Sequence, residues 1–187
     1  MNVFIIAQQE ERGMPKIIEN LRGRLLEEAS RQVMEDGYST MTIRSVAKAC
    51  GVGVGTVYNY FPSKDMLVAS FMLEDWLVTQ QIIAKGCEEA LCSEEALRCI
   101  YLELKRFMDI YKGLFSDEKA GDVYHASSKQ RHVQLRSQLA QPLKKICENQ
   151  TKVDADFLAE FLAESMLTWT IEGCEFEQIA GVLLQLL

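Results

Sequence analysis

The stretch GVGVGTVYNYFPSKDML, residues 51–67, sets glycine at positions 51, 53 and 55, ahead of two tyrosines flanking an asparagine and a Phe-Pro-Ser-Lys run. Two arrangements use glycines in this way. A phosphate-cradling loop needs Gly-x-Gly-x-x-Gly after a strand, or Gly-Lys followed by Ser or Thr. Here Thr56 stands where the third glycine belongs, and Gly55 leads into Thr56-Val57, so both patterns fail on residues. The alternative is a tight turn between two short helices. It needs a small residue at the crossing, a glycine free to adopt positive φ, and apolar residues that pack the second helix back on the first. Ala47, Gly51 four residues later and Val57 six after that meet those needs, with Val46, Cys50 and Val52 filling the seam.

Outward from this turn, apolar residues recur at spacings of three and four almost everywhere, and no segment alternates long enough to build a sheet. The spacing predicts an all-helical protein. Met14-Pro15 suits a helix start, after which Ile18, Leu21, Leu25, Ala29 and Val33 form one stripe ended by Gly37. Residues 1–13 are read as a flexible extension. Thr42 is placed to cap a short helix through Cys50, a second short helix runs from Val54 to Phe61, and Pro62-Ser63 opens a long one from Lys64 to Glu89. Ser93 caps a helix from Glu94 to Lys112, and Gly113–Ser127 reads as loop with a short helical piece. Val133, Leu135, Leu139, Leu143 and Ile146 mark another helix, bent at Pro142, and two strongly apolar helices follow on either side of Gly173. This divides the chain into a head at 14–62 and a helical domain at 63–187.

The charge is distributed unevenly. The chain carries 20 basic and 27 acidic residues, a net charge of -7, which taken alone argues against a polyanionic partner. Yet residues 37–64 contain no acidic residue, while Arg44, Lys48 and Lys64 fall inside that window, as does the glycine turn. Arg44 and Lys48 are four apart and so share a helix face, although a solvated charge accounts for Lys48 equally well. Tyr58, Asn59 and Tyr60 offer hydroxyl and amide groups able to bond phosphate or base edges. The bland reading of the same unit is a helical hairpin with buried tyrosines. A second acid-free run, Val123 to Cys147, lacks both turn and tyrosines; a solvated helix face or a site for an anionic partner would each account for it.

The stretch from Thr42 through Leu67, TIRSVAKACGVGVGTVYNYFPSKDML, closely resembles the DNA-binding segment of the TetR family of bacterial transcriptional regulators. The resemblance implies a homodimer with an N-terminal helix-turn-helix head that binds an operator on double-stranded DNA, and a C-terminal domain that binds a small effector and releases the DNA, as a repressor does. It implies a phosphate-side cap at Thr42, recognition-helix contacts from Thr56 and Tyr58, a phosphate-facing aromatic at Tyr60, and a phosphate-binding lysine at Lys64. Gly53, Val54, Gly55 and Asn59 complete the DNA-facing set together with Arg44 and Lys48. Family members often carry Ser where this chain has Gly53, so one cap and one phosphate contact of the pattern are missing here.

For the effector, Phe107, Tyr111, Phe115, Tyr124 and Trp169 are the candidate lining, although aromatic residues at helical spacing also serve as ordinary core. The last two helices are apolar on so many sides that a second subunit is expected to cover them, through Phe157, Phe161, Ile179, Val182, Leu183 and Leu186. No cofactor is expected. The six cysteines show no Cys-x-x-Cys pair and there are only two histidines, so a structural zinc site is not expected. Buried free thiols are the plain account, and Cys92 with Cys99, seven apart on one helix face, the redox alternative. A thiol- or metal-responsive sensor, a helical enzyme and a helical interaction protein without DNA binding are the rival classes; no Ser/His/Asp set or ligand spacing supports catalysis, so no enzyme is expected. No run reaches the roughly 18 apolar residues of a membrane helix, and the N-terminus lacks a signal-peptide pattern, which predicts a cytoplasmic protein.

Overall fold

A computed structural model describes residues 19–115, 128–148 and 153–187. The extension expected over residues 1–13, the helix start expected at Met14-Pro15, Ile18 and Tyr124 lie outside these ranges. The described residues form eight helices and no strand: α1 Leu21–Asp36, α2 Ile43–Cys50, α3 Val54–Tyr60, α4 Lys64–Glu89, α5 Ser93–Phe115, α6 Ser128–Cys147, α7 Ala155–Ile171 and α8 Phe176–Leu186. The all-helical class is as expected, and no described helix is long and apolar enough to cross a membrane.

Two helix limits differ from the sequence reading. The first helix does not run unbroken through position 20: Asn20 has φ 51°, in the left-handed region, and α1 begins after it. A Cβ at Gly23 would come within 2.6 Å of the Asn20 side chain, so this glycine leaves the room into which Asn20 folds. At the other end α5 continues past Lys112 through Gly113, because Leu104, Phe107, Tyr111 and Leu114 extend one buried stripe.

The core is built from antiparallel pairs. α4 and α5 pack along their length, with Phe71 beside Tyr111, Trp76 against Phe107 and the Cys87 thiol near the Ala96 carbonyl. Gly86 leaves room for Cys99, since an added Cβ would lie 2.2 Å from Cys99 Sγ. Cys92 lies in the turn before α5 and is exposed, so Cys92 and Cys99 do not share a helix face. α6 and α7 are joined by rungs that run in opposite residue order: His132 and Arg136 to Glu164, Arg136 to Glu160, and Lys144 to Asp156. Arg136 and Lys144 of the second acid-free run are thus matched by carboxylates of α7, and Lys145 by Glu88 of α4. Pro142 lies inside α6, where it removes one backbone donor.

α7 ends at a left-handed Gly173 (φ 79°) with the Cys174 N–H returning to the Trp169 carbonyl, and α8 then folds onto α5. Phe176 packs on Tyr101, Arg98 lies over the Phe176 ring, and the Tyr101 hydroxyl donates to the Cys174 carbonyl.

Candidate nucleic-acid interface

Within α1–α3 the chain is fixed mainly by caps. Thr42 Oγ1 accepts the Ser45 N–H at 3.0 Å and Ser45 Oγ accepts the Thr42 N–H at 3.1 Å, closing a capping box at the start of α2. Ser45 Oγ also meets Gln32 Oε1 of α1, and the Gln32 amide in turn donates to Glu28. Gln32 is 5% exposed, a buried polar residue whose role is to hold the cap of α2 against α1. Hydrogen bonds from Arg31 and then Gln32 hold the Glu28 carboxyl below its ordinary pKa.

The turn after α2 is a Schellman closure. Gly51 takes φ 71°, its N–H bonds the Lys48 carbonyl, and the Val52 N–H returns to Ala47 at 2.9 Å. Gly53 then stands at the N-cap of α3 with φ −72°, ψ 148° and no side chain to close it. A Cβ there would meet only Thr56 Oγ1, at 3.8 Å.

On α3 the inward position is Val57, which is fully buried, with Val54 half-buried against the same core. At 100° per residue Gly55 and Asn59 lie opposite Val57, and Tyr58 and Thr56 form the two shoulders. Gly55, Tyr58, Asn59 and Tyr60 are exposed and Thr56 is half-buried. The tyrosines are therefore not core, as the hairpin reading would require. Val54 is the member of the expected DNA-facing set whose side chain packs into the protein instead.

Arg44 and Lys48 are exposed on α2, four residues apart, and neither makes an ion pair with another described residue. No carboxylate lies on α2, α3 or the connections flanking them, so the surface these helices present has cations without local compensation. The N-terminus of α2 adds unbonded backbone N–H groups that favour an anion.

Lys64 is placed differently from a free surface lysine. Its ammonium donates to the Tyr38 carbonyl and stands 4.0 Å from the centre of the Tyr38 ring, while the Tyr38 hydroxyl donates to Asp65. Arg22 of α1 ties down the same helix nearly three turns later through Glu74, with its guanidinium 5.6 Å from the Phe61 ring. The sequence reading did not include Tyr38, Asp65, Arg22 and Glu74; their signal is only visible once α1 and α4 lie side by side.

Of the expected effector lining, three side chains fall among the described residues. Phe107 and Tyr111 are buried against each other and against α4, Trp169 is half-buried on the core, and the Phe115 side chain and Tyr124 lie outside the described residues. An open groove of about 750 Å³ lies elsewhere, between α1 and α4, bordered by Arg22, Leu26, Phe71 and Glu74. Among the expected interface residues, Phe157, Phe161, Val182 and Leu186 are exposed, but Ile179 and Leu183 are buried in the protomer's own core. They face α5 because α8 folds inward through Phe176, so they are unavailable to a second subunit.

Residues 25–71, which span α1 through the first two turns of α4, match the family described as bacterial regulatory proteins, tetR family. The head is that of the TetR family. The HTH-type transcriptional regulator UidR of Escherichia coli (strain K12) is 32% identical over 54 residues, 29% of this chain and 28% of its own length. HbdR of Aromatoleum sp. (strain CIB), also an HTH-type transcriptional regulator, is 37% identical over 51 residues, 27% of this chain and 22% of its own. The chain thus matches less than a third of the length of these curated relatives. In fold the similarity is wider. Salmonella enterica GusR covers 92% of this chain and 99% of its own at a TM-score of 0.63 and 18% identity. FadR from Bacillus subtilis, solved in complex with stearoyl-CoA, covers 88% and 96% at 0.53 and 16%. At those identities the likeness is one of fold, and it extends beyond the TetR head to the helices that follow.

Proposed function

We propose that this chain is a sequence-specific DNA-binding transcriptional regulator, a dimeric repressor released from its operator by a small-molecule effector. The observation that carries the reading is the α2–turn–α3 unit. Its outer ridge of Gly55, Asn59, Tyr58 and Thr56 stands beside the unpaired Arg44 and Lys48 on a surface free of carboxylates. A ridge of small, amide and phenol groups suits base edges in a major groove, and flanking cations suit phosphates.

In this reading residues 14–62 form the DNA-binding unit and 63–187 the effector-binding and dimerisation unit. Phe157, Phe161, Val182 and Leu186, exposed on α7 and α8, form the face that a second copy covers. Two heads so paired would enter successive major grooves roughly 34–36 Å apart. The effector acts through α4, which is fixed to the head by Lys64, Asp65 and Glu74 and runs on into the core. A coupling of about 1–3 kcal/mol between sites changes operator affinity about 5- to 150-fold. Retention of specific fragments from sheared genomic DNA by the purified protein tests the reading; uniform retention of all fragments, or none, would count against it.

A further inference from the structure

Halfway along α4 stands a carboxylate whose needs are met only in part: its side chain is 29% exposed, yet one of its oxygens is buried without a partner. Asp75 Oδ1 lies 3.7 Å from Arg106 Nη1, too far for a hydrogen bond, and Oδ2 is buried with no hydrogen-bond partner among the described residues. Arg106 is committed elsewhere: Nε donates to Glu103 at 3.0 Å and Nη2 to Thr79 Oγ1 at 2.6 Å. Thr79 is itself satisfied, its hydroxyl donating to the Asp75 main-chain oxygen. Two carboxylates therefore share one guanidinium, and the local sum is one negative charge. A buried acceptor left in this condition costs free energy that a donor would recover.

The surroundings narrow the kind of donor. Tyr111 lies between Phe71 and Phe107, with ring centroids 6.3 and 4.7 Å away, and Trp76, next to Asp75, sets its edge on Phe107 at 5.1 Å. The Tyr111 phenol is pushed well above its ordinary pKa, first by burial, then by the Asp75 charge and by a hydrogen bond to the Asp75 carboxylate, which leaves Oδ2 as the unpartnered oxygen. Carboxylate oxygen and clustered aromatic rings both favour a cation with an apolar body, the one by charge and the other by the quadrupole of the ring face.

We propose that Asp75 is the anchor of a binding site for an organic monocation, an amine or quaternary ammonium ion carrying an aromatic or aliphatic body, between α4 and α5. This rests on the regulator reading above and names the class of its effector. With Asp75 29% exposed, the cationic group approaches it from the surface, and its apolar body enters as Phe107 and Tyr111 of α5 part from α4. Because Asp75 adjoins Glu74, which Arg22 ties to α1, that separation is delivered to the helix that carries the head.

The test compares benzyltrimethylammonium, benzyl alcohol and phenylacetate, one ring body with positive, neutral and negative groups, by thermal shift and tryptophan fluorescence on the full chain without DNA. The cation is expected to raise the melting temperature and change the fluorescence, the other two to do neither. In Asp75→Asn the half-saturating concentration of the cation should rise about tenfold or more, and Asp75→Glu, which retains the charge, should keep the preference. Equal response to the three probes, no response up to about 10 mM, or an unchanged response in a folded Asp75→Asn protein overturns the site; the three-probe comparison stands even where a variant does not fold. A second arm repeats the cation titration on the protein–operator complex. Cation binding at Asp75 without change in operator affinity would leave the site standing and refute its regulatory use.

Discussion

The ammonium of Lys64 donates to the main-chain oxygen of Tyr38, and Asp65, the next residue, accepts the Tyr38 hydroxyl. The first turn of α4 thereby grips the corner between α1 and α2 from two sides of one tyrosine. Tyr38→Phe keeps the ring under Lys64 and loses the bond to a charged acceptor, at a cost of about 1.5 kcal/mol. Calorimetry should show a melting temperature lower by roughly 3–6 °C. Lys64→Ala should weaken DNA binding for all sequences and reduce the salt slope by about one. An unchanged slope would leave Lys64 with the clamp alone.

Gly55 and Gly53 make the same prediction for stability and opposite predictions for binding. An added Cβ at Gly55 meets nothing within 4 Å in the protein, so Gly55→Ala should stabilise α3 by up to about 1 kcal/mol through helix propensity. If this position is kept thin for close approach to a duplex, the same change should weaken operator binding about tenfold or more. Gly53→Ser fits, with 3.8 Å to Thr56, and restores an N-cap. It should add a few tenths of a kcal/mol and tighten binding to specific and unrelated DNA alike. A Gly55→Ala protein that is both more stable and equally tight would remove the reason given for the glycine.

Much of the head is legible in the sequence because its determinants are local. Thr42, Gly51 and Ser63 act within three or four residues of themselves, and each stands where the cap or turn was expected. What was not legible either leaves no periodic trace or depends on partners far along the chain. Asn20 takes the left-handed backbone beside Gly23, a local event with no periodic signal. Ile179 and Leu183 look on sequence like the rest of an apolar helix, and only the docking of Phe176 on Tyr101 turns them inward. Phe107 and Tyr111 read on sequence as effector lining or as core, and what they face is Phe71 and Trp76 of α4 beside the Asp75 carboxylate.

The exposed apolar residues of α7 and α8 divide cleanly from the buried ones. Phe157 and Phe161 are 69% and 48% exposed, whereas Ile179 and Leu183 are 4% and 0%. Phe161→Glu should turn a dimer into a folded monomer, read by analytical ultracentrifugation with helix content unchanged. Leu183→Ala should instead lower stability by about 2–5 kcal/mol and leave the subunit count of the folded fraction alone. A Phe161→Glu protein that stays dimeric would move the interface elsewhere.

Alkaline pH should destabilise the fold through its thiols. Burial raises Cys147 to about 11, and burial followed by the nearby Cys99 raises Cys87 to about 11, against an ordinary value of 9.0. Between these values the unfolded chain releases protons that the folded chain keeps. Their contribution is whole below pH 9 and is lost as pH rises toward 11. Denaturant midpoints measured from pH 8 to 11 should fall steadily, and a thiol reagent at pH 8 should modify the exposed Cys92 well before Cys87 or Cys147. A midpoint that holds or rises with pH would contradict this.

Selection of bound duplexes from a random-sequence pool at about 0.15 M salt tests the central claim most directly. The expected product is an inverted repeat whose half-site centres lie one helical turn apart, bound by the native protein and altered in half-site sequence by Thr56→Ala or Tyr58→Ala. A pool that emerges with no shared sequence, or a shared sequence indifferent to both substitutions, would mean that α3 does not read DNA.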